Sequence, residues 1–313
     1  MKVLVTGGAG FIGSYVVDKL IDSGIETKVL VSGFRSNNHP SIVNENATIV
    51  KGNLLDYNSL LSATKDVDII FHIGGIVSHY CVKYPELTID VNIKGTWNLR
   101  EACIYNNVKR IIYASSSFVY GDVNENPINE NDVTNPKDLL GVTKLSSEKI
   151  LQSVYPHKID YTILRLFNVY GGRQYPDELY TSVLSTWIRK AINGESLEIH
   201  DNGTQSLDFT YVKDFADAFM LAMNEKAKNE IFNVGSGKSI SMNELAKLVN
   251  KLTNNGNQIY YNTNHPRFLN HIQADISKIN SILGWKPKNG IKEGLIKTIK
   301  EIKEKIITEA IKI

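Results

Sequence analysis

The chain has 313 residues, 42% of them hydrophobic, with 35 basic against 33 acidic side chains. That is enough apolar material for one large core or two unequal ones, and so balanced a charge gives no field that would gather nucleic acid or a membrane surface. Cys81 and Cys103 are the two cysteines; they make no disulfide framework and suit a reducing compartment. No apolar run reaches the roughly 18 residues of a bilayer span. The chain starts at once on a strand-like run, Lys2 to Thr6, so the expectation is a cytoplasmic protein without a signal peptide. No metal site is expected.

The first half alternates β-branched runs with longer helical patterns, which predicts βαβ units on a parallel sheet. Strands are predicted at Val3–Thr6, Lys28–Val31, Ala47–Val50, Val67–His72, Arg110–Ser115 and Asp160–Phe167. Helices are predicted at Phe11–Ser23, Pro85–Tyr105 and about Asp138–Ser153. The second half mixes shorter elements with turns such as Asp201-Asn202-Gly203 and Gly235-Ser236-Gly237, the pattern of a smaller domain covering one face of the sheet. From Ile291 onward, Leu295, Ile299, Ile302, Ile306 and Ala310 fall on one helical face, which predicts packing or an oligomer contact.

Gly7-x-x-Gly10-x-x-Gly13 follows a predicted strand and opens a predicted helix. Glycine there serves a tight turn, close approach to a pyrophosphate and close helix–strand packing, with the phosphates on the helix N-terminus. About 20 residues further on, an acidic residue should bind the ribose 2′-hydroxyl of NAD. The second strand instead runs out through Ser32, Arg35 and Ser36, which suit the 2′-phosphate of NADP. Arg35 stacked on adenine, or turned to solvent, suits NAD, so both cofactors stay open.

Downstream, Ser115-Ser116-Ser117-Phe118-Val119-Tyr120-Gly121 precedes Leu140-Gly141-Val142-Thr143-Lys144. With the glycine loop these resemble the extended short-chain dehydrogenase/reductases, in particular the NAD-dependent epimerase/dehydratase branch and its UDP-glucose 4-epimerase-like members. The resemblance covers nearly the whole chain. It implies an α/β fold: a Rossmann-type doubly wound parallel sheet over residues 1–167 and a smaller C-terminal α/β substrate domain over 168–313, with some segments returning to the sheet.

In that family a Tyr-x-x-x-Lys pair moves the proton while the nicotinamide moves the hydride. The resemblance puts the catalytic serine on Ser116, with Ser117 beside it, and the ribose-binding lysine on Lys144. Leu140 stands where the tyrosine belongs. Tyr105 and Lys109 repeat the Tyr-x-x-x-Lys spacing, but before the serine strand, where chance accounts for it. His79, Tyr80 and Tyr84 follow the fourth strand, in the loop that borders the family's substrate. Histidine titrates near neutrality, so His79 is the chemically better substitute base, although an ordinary loop histidine is the favoured reading. Tyr120 reads as a pocket wall.

The resemblance further implies cofactor contacts at Gly7, Gly10, Phe11, Ile12, Gly13, Ser32, Arg35, Asn53, Leu54, Ile73, Gly74, Gly75, Asn92, Lys144 and Phe167. It implies substrate contacts at Ser116 and Ser117 for the sugar, and at Asn168 and Arg267 for the diphosphate. Leu207 stands where the family commonly has another phosphate-binding arginine, a loss of about 1.5–3 kcal/mol of charge-assisted bonding. Ser117-Phe118 replaces the acidic residues by which the dehydratases and decarboxylases are known. That leaves hydride transfer at C4 of a nucleoside-diphosphate sugar, as a 4-epimerase or 4-keto reductase with an atypical or missing general acid/base. Two alternatives stand beside it: a catalytically silent dinucleotide and nucleotide-sugar binding protein, and an ordinary epimerase carrying a tyrosine-to-leucine change. A homodimer is implied, with helices at about 85–105 and 138–153 pairing into a four-helix bundle.

Overall fold

The structure is a computed structural model that describes residues 1–32, 43–77, 79–122, 127–155, 157–174, 182–263 and 271–311; for residues 79 and 307–311 it describes the backbone alone. Strands β1 (Lys2–Thr6), β2 (Glu26–Val31), β3 (Thr48–Lys51), β4 (Ile69–His72), β5 (Arg110–Ser116) and β6 (Asp160–Leu166) come from the first half of the chain. They lie in the order 3-2-1-4-5-6 with every pairing parallel, the doubly wound arrangement of dinucleotide-binding sheets.

The second half supplies β7 (Asn168–Tyr170), β8 (Leu197–His200), β9 (Ser206–Tyr211), β10 (Glu230–Val234), β11 (Ser239–Ser241), β12 (Ile259–Asn262) and β13 (His271–Ile272). Of these, β10 lies parallel beside β6, with Ile231 opposite Ile163 and Asn233 opposite Arg165, and makes the sheet seven-stranded. The sequence pattern predicts no strand there, because five mixed residues do not stand out among turns. Strand β9 pairs with β7, β11 and β13, and β8 pairs with β12.

Successive side chains of a strand point to opposite faces, and both faces of this sheet are covered. Val3 and Val5 of β1 join one core with Phe71, Ile112 and Leu164. Leu4 joins the other with Ile70, Ile111 and Ile163. Helices α1 (Phe11–Asp22), α2 (Tyr57–Thr64), α3 (His79–Lys83), α4 (Pro85–Ile89), α5 (Gly95–Tyr105) and α6 (Leu139–Gln152) belong to the first half. The second half adds α7 (Val183–Ile192), α8 (Val212–Leu221), α9 (Met242–Thr253), α10 (Ser277–Leu283) and α11 (Ile291–Ile311).

Helix α8 packs against α1, and α11 buries Leu295, Ile299 and Ile302. The run predicted as one α-helix from Pro85 to Tyr105 is interrupted: Asp90–Lys94 forms a π turn between α4 and α5. Among the described residues no helix is long and apolar enough to cross a membrane.

Candidate functional site

The glycine loop follows β1 and closes against Ile73 and Gly74 after β4, at the switch point where the strand order reverses between those strands. Gly7 has φ +71°, and a Cβ on it would lie 2.6 Å from the Gly74 nitrogen. Gly10 donates its N–H to the Gly7 carbonyl at 2.9 Å, and a Cβ on Gly13 would press into that same carbonyl. Gly10 caps α1 without any side-chain bond, and the helix's first turn carries no acidic residue. The positive helix end therefore stays open to an anion, and the glycine cradle has the shape a pyrophosphate needs. Gly13→Ala is expected to weaken dinucleotide binding about tenfold or more, from the 1–3 kcal/mol that overpacking costs. A fluorescence titration of NADH gives the value, and wild-type affinity in the variant would count against this cradle.

Beneath the loop, the Gly74 N–H donates to Thr6 Oγ1 at 3.1 Å, and that hydroxyl also bonds His72 Nδ1 at 2.8 Å. His72 Nε2 bonds Thr96 Oγ1 at 3.0 Å. Burial pulls the His72 imidazole down to about 3, with the nearby Lys144 charge adding to the effect, so it is a neutral link that sequence reasoning missed. Ile73 and Gly75 are half-buried at the end of β4. Ser32 is exposed just past β2, while Arg35 lies outside the described residues. Asn53 is exposed and its Oδ1 accepts the Leu55 N–H at 2.9 Å. Leu54 is buried where Gly95, lacking a Cβ, lets α5 approach.

Ser116 ends β5, and its Oγ accepts the Phe118 N–H at 3.3 Å to start a 3-10 turn through Ser117. Helix α6 starts beside that turn. Asp138 caps it by accepting the Gly141 N–H at 2.7 Å, and the bare Gly141 lets it press on the Phe118 carbonyl. Leu140, half-buried, therefore lies next to the serines and one turn before Lys144, on the same helix face.

Lys144 is 5% exposed. Its Nζ donates to the Ala114 carbonyl at 2.7 Å and lies 4.9 Å from the centre of the Tyr113 ring. Burial pulls this amine down to about 8, against the opposing pull of Cys81 and Glu148. A Cβ on Gly75 would sit 3.8 Å from Nζ, so the lysine reaches the loop that follows β4.

Asn92, in the π turn, is directed elsewhere than expected. Its Oδ1 accepts the Ile76 N–H at 2.7 Å, while Nδ2 donates to the Ile76 carbonyl at 2.9 Å and to Thr143 Oγ1 at 3.0 Å. With its amide engaged on both sides, it braces the loop after β4 against α6 instead of offering a free group to a cofactor. The His79 backbone is in α3, but its side chain lies outside the described residues. Tyr105 is 73% exposed, and Lys109 pairs with Asp68 at 2.7 Å, at the opposite end of β5 from Ser116.

Past β6, Phe167 is buried and Asn168 Nδ2 donates to the Asp208 carbonyl at 3.2 Å. Leu207 sits between Ile240 and Ile272 on the neighbouring strands, an apolar strip. Arg267 lies outside the described residues. Among the described residues no group of three or more His, Cys, Asp or Glu is placed to hold a metal.

Sequence reasoning also missed a buried polar network. Arg165 donates from Nε and Nη2 to the two Glu148 oxygens at 3.0 and 2.8 Å, and Ser115 Oγ donates to the same carboxylate. Arg165 Nη1 donates to the Tyr120 hydroxyl at 2.9 Å, which in turn donates to Asn233 Oδ1 at 2.7 Å. Tyr120 is thus fully buried, its hydroxyl spent inside this network rather than facing an open cleft. The available signal was a pair of charged residues, Glu148 and Arg165, inside a predicted helix and a predicted strand that are otherwise apolar on their inner faces.

The profile of the NAD dependent epimerase/dehydratase family matches residues 3–235. Over 309 residues the chain is 36% identical to a protein named putative UDP-glucose 4-epimerase in Methanocaldococcus jannaschii, across 96% of this chain and 98% of that one. It is 30% identical to the UDP-N-acetyl-alpha-D-glucosaminuronate decarboxylase of Bacillus cytotoxicus, across 97% of this chain and 98% of that one. The structure of Thermotoga maritima UDP-glucose 4-epimerase with UDP-glucose matches with a TM-score of 0.92 at 32% identity, covering 98% of this chain and 100% of that one.

Proposed function

This chain belongs to the NAD-dependent epimerase/dehydratase family, and from that membership we propose that it transfers hydride at C4 of a nucleoside-diphosphate sugar, as a 4-epimerase or a 4-keto reductase. The observation that carries the reading is the meeting of Gly7, Gly75, Lys144 and Ser116 at one end of the sheet. The division of the chain near residue 167 into dinucleotide and substrate parts, and a cytoplasmic setting, belong to the same proposal.

A nicotinamide dinucleotide, NAD or NADP, supplies the hydride acceptor when bound. Gly7, Gly10, Phe11, Ile12 and Gly13 would hold its pyrophosphate, Ile73 and Gly74 would lie beneath it, and Lys144 would hold the nicotinamide ribose. Ser116 and Ser117 would bond the reacting sugar hydroxyl, and Asn168 and Arg267 the diphosphate. Leu140 takes the place of the family's tyrosine, so the phenol that usually moves the proton is missing.

The test incubates purified protein with a panel of nucleotide sugars and follows reduced-nicotinamide absorbance, with Leu140→Tyr alongside. Turnover by either protein supports the reading, and silence of both overturns it. Leu207, walled by Ile240 and Ile272, favours a second reading, a binding protein without turnover. Nucleotide-sugar binding by calorimetry together with silence of both proteins would establish that one.

The homodimer is part of the proposal. Ile89, Trp97 and Val142 are exposed on α4, α5 and α6, and Trp97 borders an open groove with Ile93, Leu145 and Ile150. Apolar side chains gathered on neighbouring helices suit a second copy of the same face. Trp97→Glu is expected to convert a dimer to a monomer in light scattering; an unchanged mass would place the contact elsewhere or remove it.

A further inference from the structure

The proton half of the site has lost its phenol, and three described groups stand near the gap. Cys81 is buried in α3, its Sγ directed at the Ile76 carbonyl at 3.5 Å, and burial pushes the thiol up, away from the anion a base needs. Asp138 is committed to capping α6 through the Gly141 N–H. Lys144 is left. Among the described residues its amine has one hydrogen-bond partner, the neutral Ala114 carbonyl. Among the described residues it has no ion-pair partner. Gly75 lies against it, since a Cβ there would sit 3.8 Å from Nζ, so no side chain of that residue stands between the amine and the loop after β4.

We infer that Lys144, besides holding the dinucleotide, is itself the base that takes and returns the substrate hydroxyl proton in place of the missing phenol. The inference rests on the reading that this chain oxidises and reduces C4 of a nucleotide sugar. In the step, the alcohol loses its O–H proton to the Nζ lone pair, giving an ammonium, and its C–H hydride to an oxidised nicotinamide dinucleotide, and becomes a ketone. The return step takes the proton back from the ammonium and the hydride from the reduced dinucleotide. A general base acts across a hydrogen bond or through one water, and leucine is short enough beside a phenol to leave room for one.

The surroundings keep such an amine able to exchange protons near neutrality. Facing it are Cys81 from α3, His72 from β4, Tyr113 from β5 and Glu148 from its own helix. His72 is held neutral by burial, and the Glu148 carboxylate is bound by Arg165 at 2.8 Å. Burial is the leading influence and pulls the amine down to about 8. The base form therefore gains as pH rises through about 8, so alcohol oxidation should rise across that window and ketone reduction should fall.

Lys144→Arg separates proton transfer from cofactor holding, since a guanidinium keeps the charge and the donors but stays protonated. The expected result is dinucleotide affinity within about tenfold of wild type, with turnover lower by about 10²-fold or more. A 15N titration of the Lys144 side chain in the protein without substrate or cofactor should show a midpoint near 8. Lys144→Arg turnover close to wild type, or a midpoint near the ordinary lysine value, overturns the inference. A silent wild type beside an active Leu140→Tyr overturns the inference and leaves the proposed function standing. Silence of both removes the two together.

Discussion

Leu140→Tyr is expected to raise nucleotide-sugar turnover, by less than the about 10²–10⁴-fold that a positioned general acid/base adds to a site without one, because Lys144 already takes the proton. The site is already shaped for it. Residue 140 is the second residue of a well-capped helix, half-buried, with the bare Gly141 holding the helix against the serine turn. The helical spacing sets the new phenol on the face of Lys144, whose positive charge favours the phenolate. The pH profile should then follow the phenol rather than the amine. Steady-state rates at saturating sugar nucleotide measure the gain. A variant that binds dinucleotide normally but turns over no faster than wild type would show that the proton step does not limit this protein.

Glu148→Ala is expected to cost about 3–5 kcal/mol of stability, because it strands a buried guanidinium. Arg165 and Glu148 are both almost wholly buried and paired at 2.8 Å. The alanine would also leave the Ser115 hydroxyl without its acceptor. The pair joins β5, β6 and α6, which carry or lead into Ser116, Asn168 and Lys144, so dinucleotide affinity should fall along with stability. Urea unfolding of wild type, Glu148→Ala and Glu148→Gln gives the value, with the glutamine intermediate because it keeps one acceptor. A loss below about 1 kcal/mol, typical of an exposed pair, would mean that these side chains do not tie the elements together.

The parallel core was legible because its strands are short, apolar and regularly spaced, and six of the seven strands of the sheet fall close to where the pattern puts them. The glycine loop was legible because its chemistry is local. Asp138 as the start of α6 followed from the same kind of local signal. The π turn at Asp90–Lys94 was not legible, since what stabilises it includes the Asn92 bonds to Ile76 and Thr143, residues 16 and 51 positions away. Tyr120 was misread for the same reason: its partner Asn233 is 113 positions downstream. His72 looked like the last residue of an apolar strand, and only the fold brings Thr6 and Thr96 to its two nitrogens. The sequence could name Leu140 as an oddity and Lys144 as its neighbour, but not that amine's burial or its bond to the Ala114 carbonyl.

The position of β10 also bears on how this protein is made. A ribosome releases β6 more than sixty residues before Glu230–Val234, and until then the sheet has a bare edge on which Thr162 to Leu166 have no neighbour. An unpaired apolar edge is where nascent chains adhere to one another. The first six strands are therefore not self-sufficient during synthesis: they wait, with one seam open, for a strand encoded deep in the other half of the message.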